Sequence, residues 1–159
     1  MKICYNSIGI IRTPFKKIEG MPIQPGGSEG NRGTIELKEE YTGGLSDLDK
    51  FSHIFLIYHF HKSSGFKLSV IPFLDNKPHG LFATRAPKRP NPIGISVVRL
   101  LNIKGNILTV ENVDMLDGTP LLDIKPFVSQ FDIHEIDSNG WLSDIPGYKG
   151  TIKSDTRFK

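Results

Sequence analysis

A chain of 159 residues, 38% hydrophobic and 23% charged, has the size and composition of one soluble globular domain, which excludes a disordered or fibrous protein. The single cysteine, Cys4, excludes an internal disulfide framework, and no apolar run reaches the roughly 20 residues that span a bilayer. The net charge of +3 is too small to imply a nucleic-acid partner on its own, and the opening "MKICYNSIGIIRTPF" is too polar for a secretory signal, so the cytoplasm is the expected home.

In chain order, "YNSIGIIRTPF" predicts a strand from about Tyr5 to Arg12, stopped by Pro14. "MPIQPGGSEGNRG" is a loop, "GTIELKEEY" alternates into a short strand, and Ser46 in "LSDLDKF" is placed to N-cap one or two helical turns. "FSHIFLIYHFH" is nearly continuous in bulky β-favouring residues and predicts a strand buried on both faces. Residues 62 to 80, broken by Gly65, Pro72, Asn76, Pro78 and Gly80, read as a long loop with one short strand. "ISVVRLLNIKGNILTVENVDML" is a hairpin turning at Lys104-Gly105-Asn106, and "DGTPLLDIKPF" adds a turn and a further strand. Many short strands and no long amphipathic helix predict an all-β or β-dominated barrel over residues 1–140, with a few short helices, in which closure removes exposed sheet edges. The segment 141–159 is expected as a tail that packs on the barrel through Trp141 or stays mobile.

Charge is unevenly placed. Arg85, Lys88 and Arg89 stand within one short acid-free segment, whereas Glu111, Asp114, Asp117 and Asp123 crowd a later one, so the two are candidate walls of one cleft. Within "ATRAPKRPNPIGIS", Pro87, Pro90 and Pro92 each fix φ, remove an amide donor and push the preceding residue into extended geometry, which forbids a helix or a central strand. Two readings stand for this stiff ribbon. It either holds its carbonyls and the Asn91 amide ready for a ligand at low ordering cost, with Gly94 admitting a close approach, or it is a proline-stiffened connection with solvated cations.

Other chemistries are weaker. His53, His59 and His61 share parity, so one strand face would carry all three as the start of a metal site, against their being core or cleft histidines. "GGSEG" follows prolines rather than a strand, which removes the dinucleotide and P-loop readings, and no nucleophile elbow is present.

The blocks "IGIIRTPF", "FSHIFLIYHFH", "FATRAPKRPNPIGIS" and "LDGTPLLDIKPF" together resemble the TrmO family, also called TsaA-like proteins, in matching order over most of residues 1 to 127. The resemblance implies a small, mostly antiparallel closed β-barrel enzyme, usually dimeric, without a Rossmann domain. It uses S-adenosylmethionine to methylate the exocyclic amine of N6-threonylcarbamoyladenosine beside the tRNA anticodon. By motif, the cofactor contacts are Gln24, Pro25, Gly26, His61, Lys62, Arg85, Ile95, Val113 and Asp114, drawn from two subunits, with no metal required. Asn91 and Asp117 are the expected catalytic residues: acceptors at the amine proton localise a lone pair otherwise delocalised, and Asp117 serves as proton acceptor or as support for Asn91, unless it is a turn residue before Gly118. Arg12, Lys16, Lys17, Lys88 and Arg89 are expected against tRNA phosphates, and Tyr5, Phe15 or Tyr148 against an extruded base. The length implies that tRNA contacts made by the added C-terminal domain of longer bacterial members are absent or replaced. The rival readings are a metal-dependent barrel enzyme built on His53, His59 and His61, and a noncatalytic tRNA-binding module.

Overall fold

Side-chain alternation along six strands decides the architecture. In the computed structural model, which describes residues 1–22, 30–145 and 154, the strands are β1 (Gly9–Arg12), β2 (Arg32–Leu37), β3 (His53–His59), β4 (Ser69–Val70), β5 (His79–Gly80), β6 (Ile93–Lys104), β7 (Ile107–Glu111) and β8 (Thr119–Pro126). All but β4 and β5 form a closed antiparallel barrel in the order β1-β2-β7-β6-β3-β8. The expected closed all-β barrel is therefore observed. Its interior is filled by the inward set Ile11, Ile35, Ile54, Leu56, Val98, Leu108, Val110 and Leu121, every one fully buried. Outward positions on β2 and β7 are Arg32, Thr34, Glu36, Thr109 and Glu111, the period-two pattern that pins register.

The Gly105 hairpin forms as expected, with Gly105 at φ 60 between β6 and β7. Four expectations change. Residues 62 to 80 carry two short strands, β4 and β5, rather than one. The first strand begins at Gly9 rather than Tyr5, although Ile8 already donates to Leu121 O and accepts from Lys38 N, while residues 1 to 6 are exposed. Ser46 ends a 3-10 turn, Glu39–Leu45, instead of starting a helix; Asp47 next adopts φ 65 and pairs with Lys50 of a second short turn, Leu48–Lys50. And β3 is fully buried on one face only. Ile54, Leu56 and Tyr58 fill the core, whereas Phe55 and Ile57 sit half-buried on the barrel's outside, Phe55 against Phe127 at 5.5 Å and Ile57 paired with Ile95.

The 62–92 excursion carries the β4–β5 pair and a small apolar cluster of its own, in which Leu81 and Ala86 pack with Val70 and Phe73. A short helix α1 (Ser129–Asp132) and a 3-10 turn over Gly140–Asp144 follow the barrel. Trp141 of that turn donates Nε1–H to Ala83 O at 2.8 Å. Among the described residues no helix is long and apolar enough to cross a membrane.

Candidate active site

Antiparallel closure gathers distant segments at one rim. The C-terminal ends of β1, β3 and β7 and the N-terminal ends of β2, β6 and β8 all lie there, so the residues after β1, after β3, before β6 and between β7 and β8 share one end of the barrel. Most described candidates for cofactor, acceptor or RNA belong to those segments; Arg12 ends β1 and Ile95 lies near the start of β6 at the same rim, whereas Tyr5 precedes β1 and is not among them. Gln24, Pro25, Gly26 and Tyr148 lie outside the described residues.

The proline ribbon runs beside the end of β3. His59 pairs with Ile93, Phe60 N donates to Pro92 O at 2.8 Å, and Ile93 N donates to Asn91 O at 2.8 Å. This brings Asn91 alongside His61 and Lys62. Asn91 is exposed, and its side-chain amide has no partner among the described residues. Gly94 does not open a space for a ligand. A Cβ there would meet the Tyr58 ring at 2.3 and 2.5 Å and Phe60 at 2.9 Å, so the glycine exists to let that ring lie flat on the strand.

Because β6 pairs with β7 only from Arg99 onward, its first half has β3 on one side and no strand on the other. The 112–118 connection fills that gap. Asn112, at φ 68, turns the chain out of β7, Val113 is buried against Gly33, and Asp114 reaches Ser96. Ser96 Oγ donates to Asp114 Oδ1 at 2.6 Å and lies 3.0 Å from Tyr58 Oη, giving a chain of three polar groups at the top of the core. Burial pushes the Asp114 carboxyl up to about 6, against the opposing pull of the Ser96 hydrogen bond and of the Arg85 charge. Burial also raises the Tyr58 phenol, and the Asp114 charge raises it further. Arg85 is exposed beside both.

A second group lies where β1, β3 and β8 meet. Asp117 accepts Thr13 N–H at 3.0 Å through Oδ1 and Lys16 Nζ at 2.7 Å through Oδ2, while its own N–H donates to Phe15 O. The Lys16 hydrogen bond, with lesser help from Thr13 N and Arg12, holds the Asp117 carboxyl below the usual carboxylate range. His61 Nδ1 lies 3.5 Å from Thr119 Oγ1, and burial, with Lys62 and His59 nearby, lowers its pKa. Arg12, Lys16, Arg32, Thr34 and Thr109 line a shallow open groove with Asp117. Arg12 is paired with Glu36 at 3.3 Å, and Lys17 is exposed.

The cations of the ribbon divide. Arg85 is free to meet a ligand, whereas Arg89 turns inward. Its Nη1 donates to Thr84 O at 2.9 Å, with Leu81 O and Ala86 O each at 3.4 Å, and its guanidinium sits 5.6 Å from the Phe82 ring. Lys88 is half-buried. Ile95 projects from the outer face of β6 and is 53% exposed. The three histidines do not converge: His53 and His59 are on the outer face of β3, His53 with Ser52 Oγ at 2.9 Å, and His61 lies past the strand's end. Among the described residues no group of three His, Cys, Asp or Glu side chains is placed to hold a metal.

Sequence reasoning missed Tyr58 and Ser96. Both carry the parity of the core face, and a hydroxyl at a core position must find a partner; that parity was the available signal.

Residues 10–133 match the family model described as tRNA-methyltransferase O N-terminal domain. The chain belongs to this family. It is 51% identical, over 99% of its length and 86% of the relative's, to a probable S-adenosyl-L-methionine-binding protein of Pyrococcus abyssi. It is 34% identical to the mouse tRNA (adenine(37)-N6)-methyltransferase over 79% of this chain and 31% of that one. A crystal structure of TrmO from Pseudomonas aeruginosa superposes with a TM-score of 0.75 at 38% identity, covering 89% of this chain and 63% of that one. This TrmO-family chain thus spans under two thirds of the Pseudomonas protein and about a third of the mouse enzyme.

Proposed function

We propose that this barrel transfers a methyl group from S-adenosylmethionine to the exocyclic amine of N6-threonylcarbamoyladenosine beside the anticodon of a tRNA. Membership of the TrmO family carries the coarser part, S-adenosylmethionine-dependent methylation of tRNA. The observation that best supports a site for it is the convergence of Asn91, Arg85, His61 and Asp114 on one rim, with a desolvated carboxyl among them.

The donor set fits the cofactor. Arg85 supplies N–H groups for the carboxylate of its amino-acid head, Asp114 an acceptor for its ammonium or ribose hydroxyls, and Ile95 apolar contact for the base, whereas Val113, fully buried against Gly33, supports the 112–118 connection from beneath. When bound, the cofactor supplies an electrophilic methyl on a sulfonium. Catalysis by the chain is then mainly positioning, because transfer needs the amine nitrogen in line with the sulfur–methyl bond at roughly 3 to 3.5 Å. Asn91, exposed on a ribbon that three prolines stiffen, accepts the amine N–H through its side-chain carbonyl and directs the nitrogen lone pair toward the methyl. Asp117, with both oxygens engaged and its proton affinity depressed, is a poor general base; we assign it to holding the β1 and β8 ends of the rim. Lys17, exposed after β1, and Arg12 and Lys16, whose ion pairs with Glu36 and Asp117 stay open to solvent, are the cations we assign to RNA phosphates.

We further propose a homodimer. Ile93 at 40% and Ile95 at 53% exposure, beside Ile57 and Phe55, form an apolar strip on the outside of β3 and β6 that a second copy would cover. The strip reaches the site at Ile95, so a partner seated on it would complete the cofactor pocket. A tRNA substrate supports a cytoplasmic site of action.

Calorimetric titration with S-adenosylmethionine tests the reading. Wild type binds, Arg85→Ala loses about tenfold or more in affinity, and Asn91→Ala keeps the cofactor but loses methyl transfer to tRNA. Wild type that fails to bind the cofactor refutes the assignment.

A further inference from the structure

The segment that carries Arg85 has little core of its own. Leu81 and Ala86 form its small apolar cluster with Val70 and Phe73, Pro72 is buried besides, and β4 and β5 are two residues long. Its carbonyls are instead held by side chains from two directions. From inside, Arg89 Nη1 takes Thr84 O at 2.9 Å and reaches Leu81 O and Ala86 O. From outside, Trp141 Nε1 takes Ala83 O at 2.8 Å, two residues before Arg85.

Trp141 stands on a built platform. Its ring stacks on His79 at 4.3 Å with 23° between planes, and His79 Nε2 donates to Asp75 Oδ2 at 2.8 Å. The other Asp75 oxygen accepts the N–H groups of Asn76 and Lys77, which fixes the carboxylate and through it the imidazole. Farther along the C-terminal segment, Ser154 makes a second anchorage: Gly20 N donates to Ser154 O at 2.9 Å, and Ser154 N donates to Met21 O at 2.7 Å. The segment therefore grips the rim at two places, Ala83 before Arg85 and Met21 after β1. Trp141 and Ser154 both lie beyond residues 10–133, the part that matches the family.

We propose that Trp141 is a positioning residue: its clasp on Ala83 holds the 83–92 ribbon in the conformation that presents Arg85 and Asn91, so that cofactor binding and docking of the C-terminal turn are energetically coupled. The inference rests on the reading of the rim as a cofactor site. A loop ordered before binding loses less entropy on binding, and the coupling is reciprocal, so cofactor must in turn tighten the clasp.

Trp141 is the only tryptophan, so the clasp carries its own fluorescent reporter. The full chain is titrated with S-adenosylmethionine, with tryptophan emission followed for wild type and heat for wild type, Trp141→Phe and Trp141→Ala. Expected are a saturable emission change in wild type with the calorimetric midpoint, a cofactor Kd raised about five- to tenfold in Trp141→Ala, and a smaller rise in Trp141→Phe, which keeps a ring on His79 without the donor. Unchanged Kd in both variants with silent emission overturns the proposal, since a purely structural tryptophan has no reason to report on the cofactor. If wild type binds no cofactor, the reading of the site fails separately. Amide exchange over residues 81–92 without ligand then decides the clasp: faster exchange in Trp141→Ala supports it, and identical exchange overturns it.

Discussion

Ser96 donates its hydroxyl proton to Asp114 across 2.6 Å, from the core face of a strand to a connection that closes the barrel's end. The bond anchors the carboxylate but does not replace the water it has lost, and burial still carries its pKa from 3.8 to about 6. Between those values the native protein holds a proton that the unfolded chain has released, so this group's contribution makes stability fall as pH rises through the window. The full cost, on the order of 2 kcal/mol for a partly exposed residue, is present above about pH 6. Asp114→Asn should therefore be more stable than wild type at pH 7.5 and nearly equal to it at pH 4. Urea unfolding at the two values measures this, and a variant destabilised at pH 7.5 contradicts it. The same variant should bind S-adenosylmethionine weakly, the pattern of a group retained for function at a cost in stability.

Gly94 answers to the Tyr58 ring. Because a Cβ would stand 2.3 Å from Cε2 of a ring that is itself held by Ser96, neither strand can yield without breaking the polar chain. Gly94→Ala should cost about 1 to 3 kcal/mol by overpacking and weaken cofactor binding through Asp114. Thermal unfolding within a degree of wild type would show that the ring moves freely.

How far the sequence revealed this arrangement depends on the range of each interaction. The Gly105 hairpin and the extended proline ribbon were legible because positive φ and a missing amide are properties of a few adjacent residues. The barrel was legible from strand spacing. Ser46 misled because a cap residue is only as good as the turns after it: Gly43 and Gly44 lie in the 3-10 turn on its N-terminal side, and left-handed Asp47 immediately after it breaks the helical path. The outer face of β3 misled because Phe55 and Ile57 are as apolar as core residues, and composition does not say what covers them. Motif resemblance drew attention to Arg89 and Asp117 as charged groups in signature blocks. That Arg89 turns into its own loop, and that Asp117 is gripped by Thr13 and Lys16, depends on partners that only folding supplies.

Asp117 separates a structural from a catalytic carboxylate. Its depressed pKa means its contribution to stability is present above 3.8 and is lost as pH falls through the lower folded value, a window that leaves neutral pH untouched. Asp117→Asn keeps an acceptor for Thr13 N–H but loses the Lys16 ion pair, and should destabilise by about 1 kcal/mol. Turnover should fall less than about tenfold with an unshifted pH profile. A general base removed in the same way costs roughly 100-fold or more in kcat, so single-turnover rates across pH distinguish the two roles.

Ile95 tests the proposed assembly because its side chain belongs both to the apolar strip and to the proposed cofactor pocket. The residue is exposed on the outer face of β6, so replacing it by a charged side chain leaves the barrel's interior unaltered. Ile95→Lys should therefore unfold at nearly the wild-type temperature while sedimenting as a monomer, since a lysine facing its own symmetry mate puts like charges at the centre of an apolar contact. Cofactor affinity should fall together with dimerisation, and raising protein concentration should restore both in parallel. A variant that remains dimeric shows that the strip is not the interface; a monomer that binds cofactor with full affinity shows that one subunit builds the pocket alone.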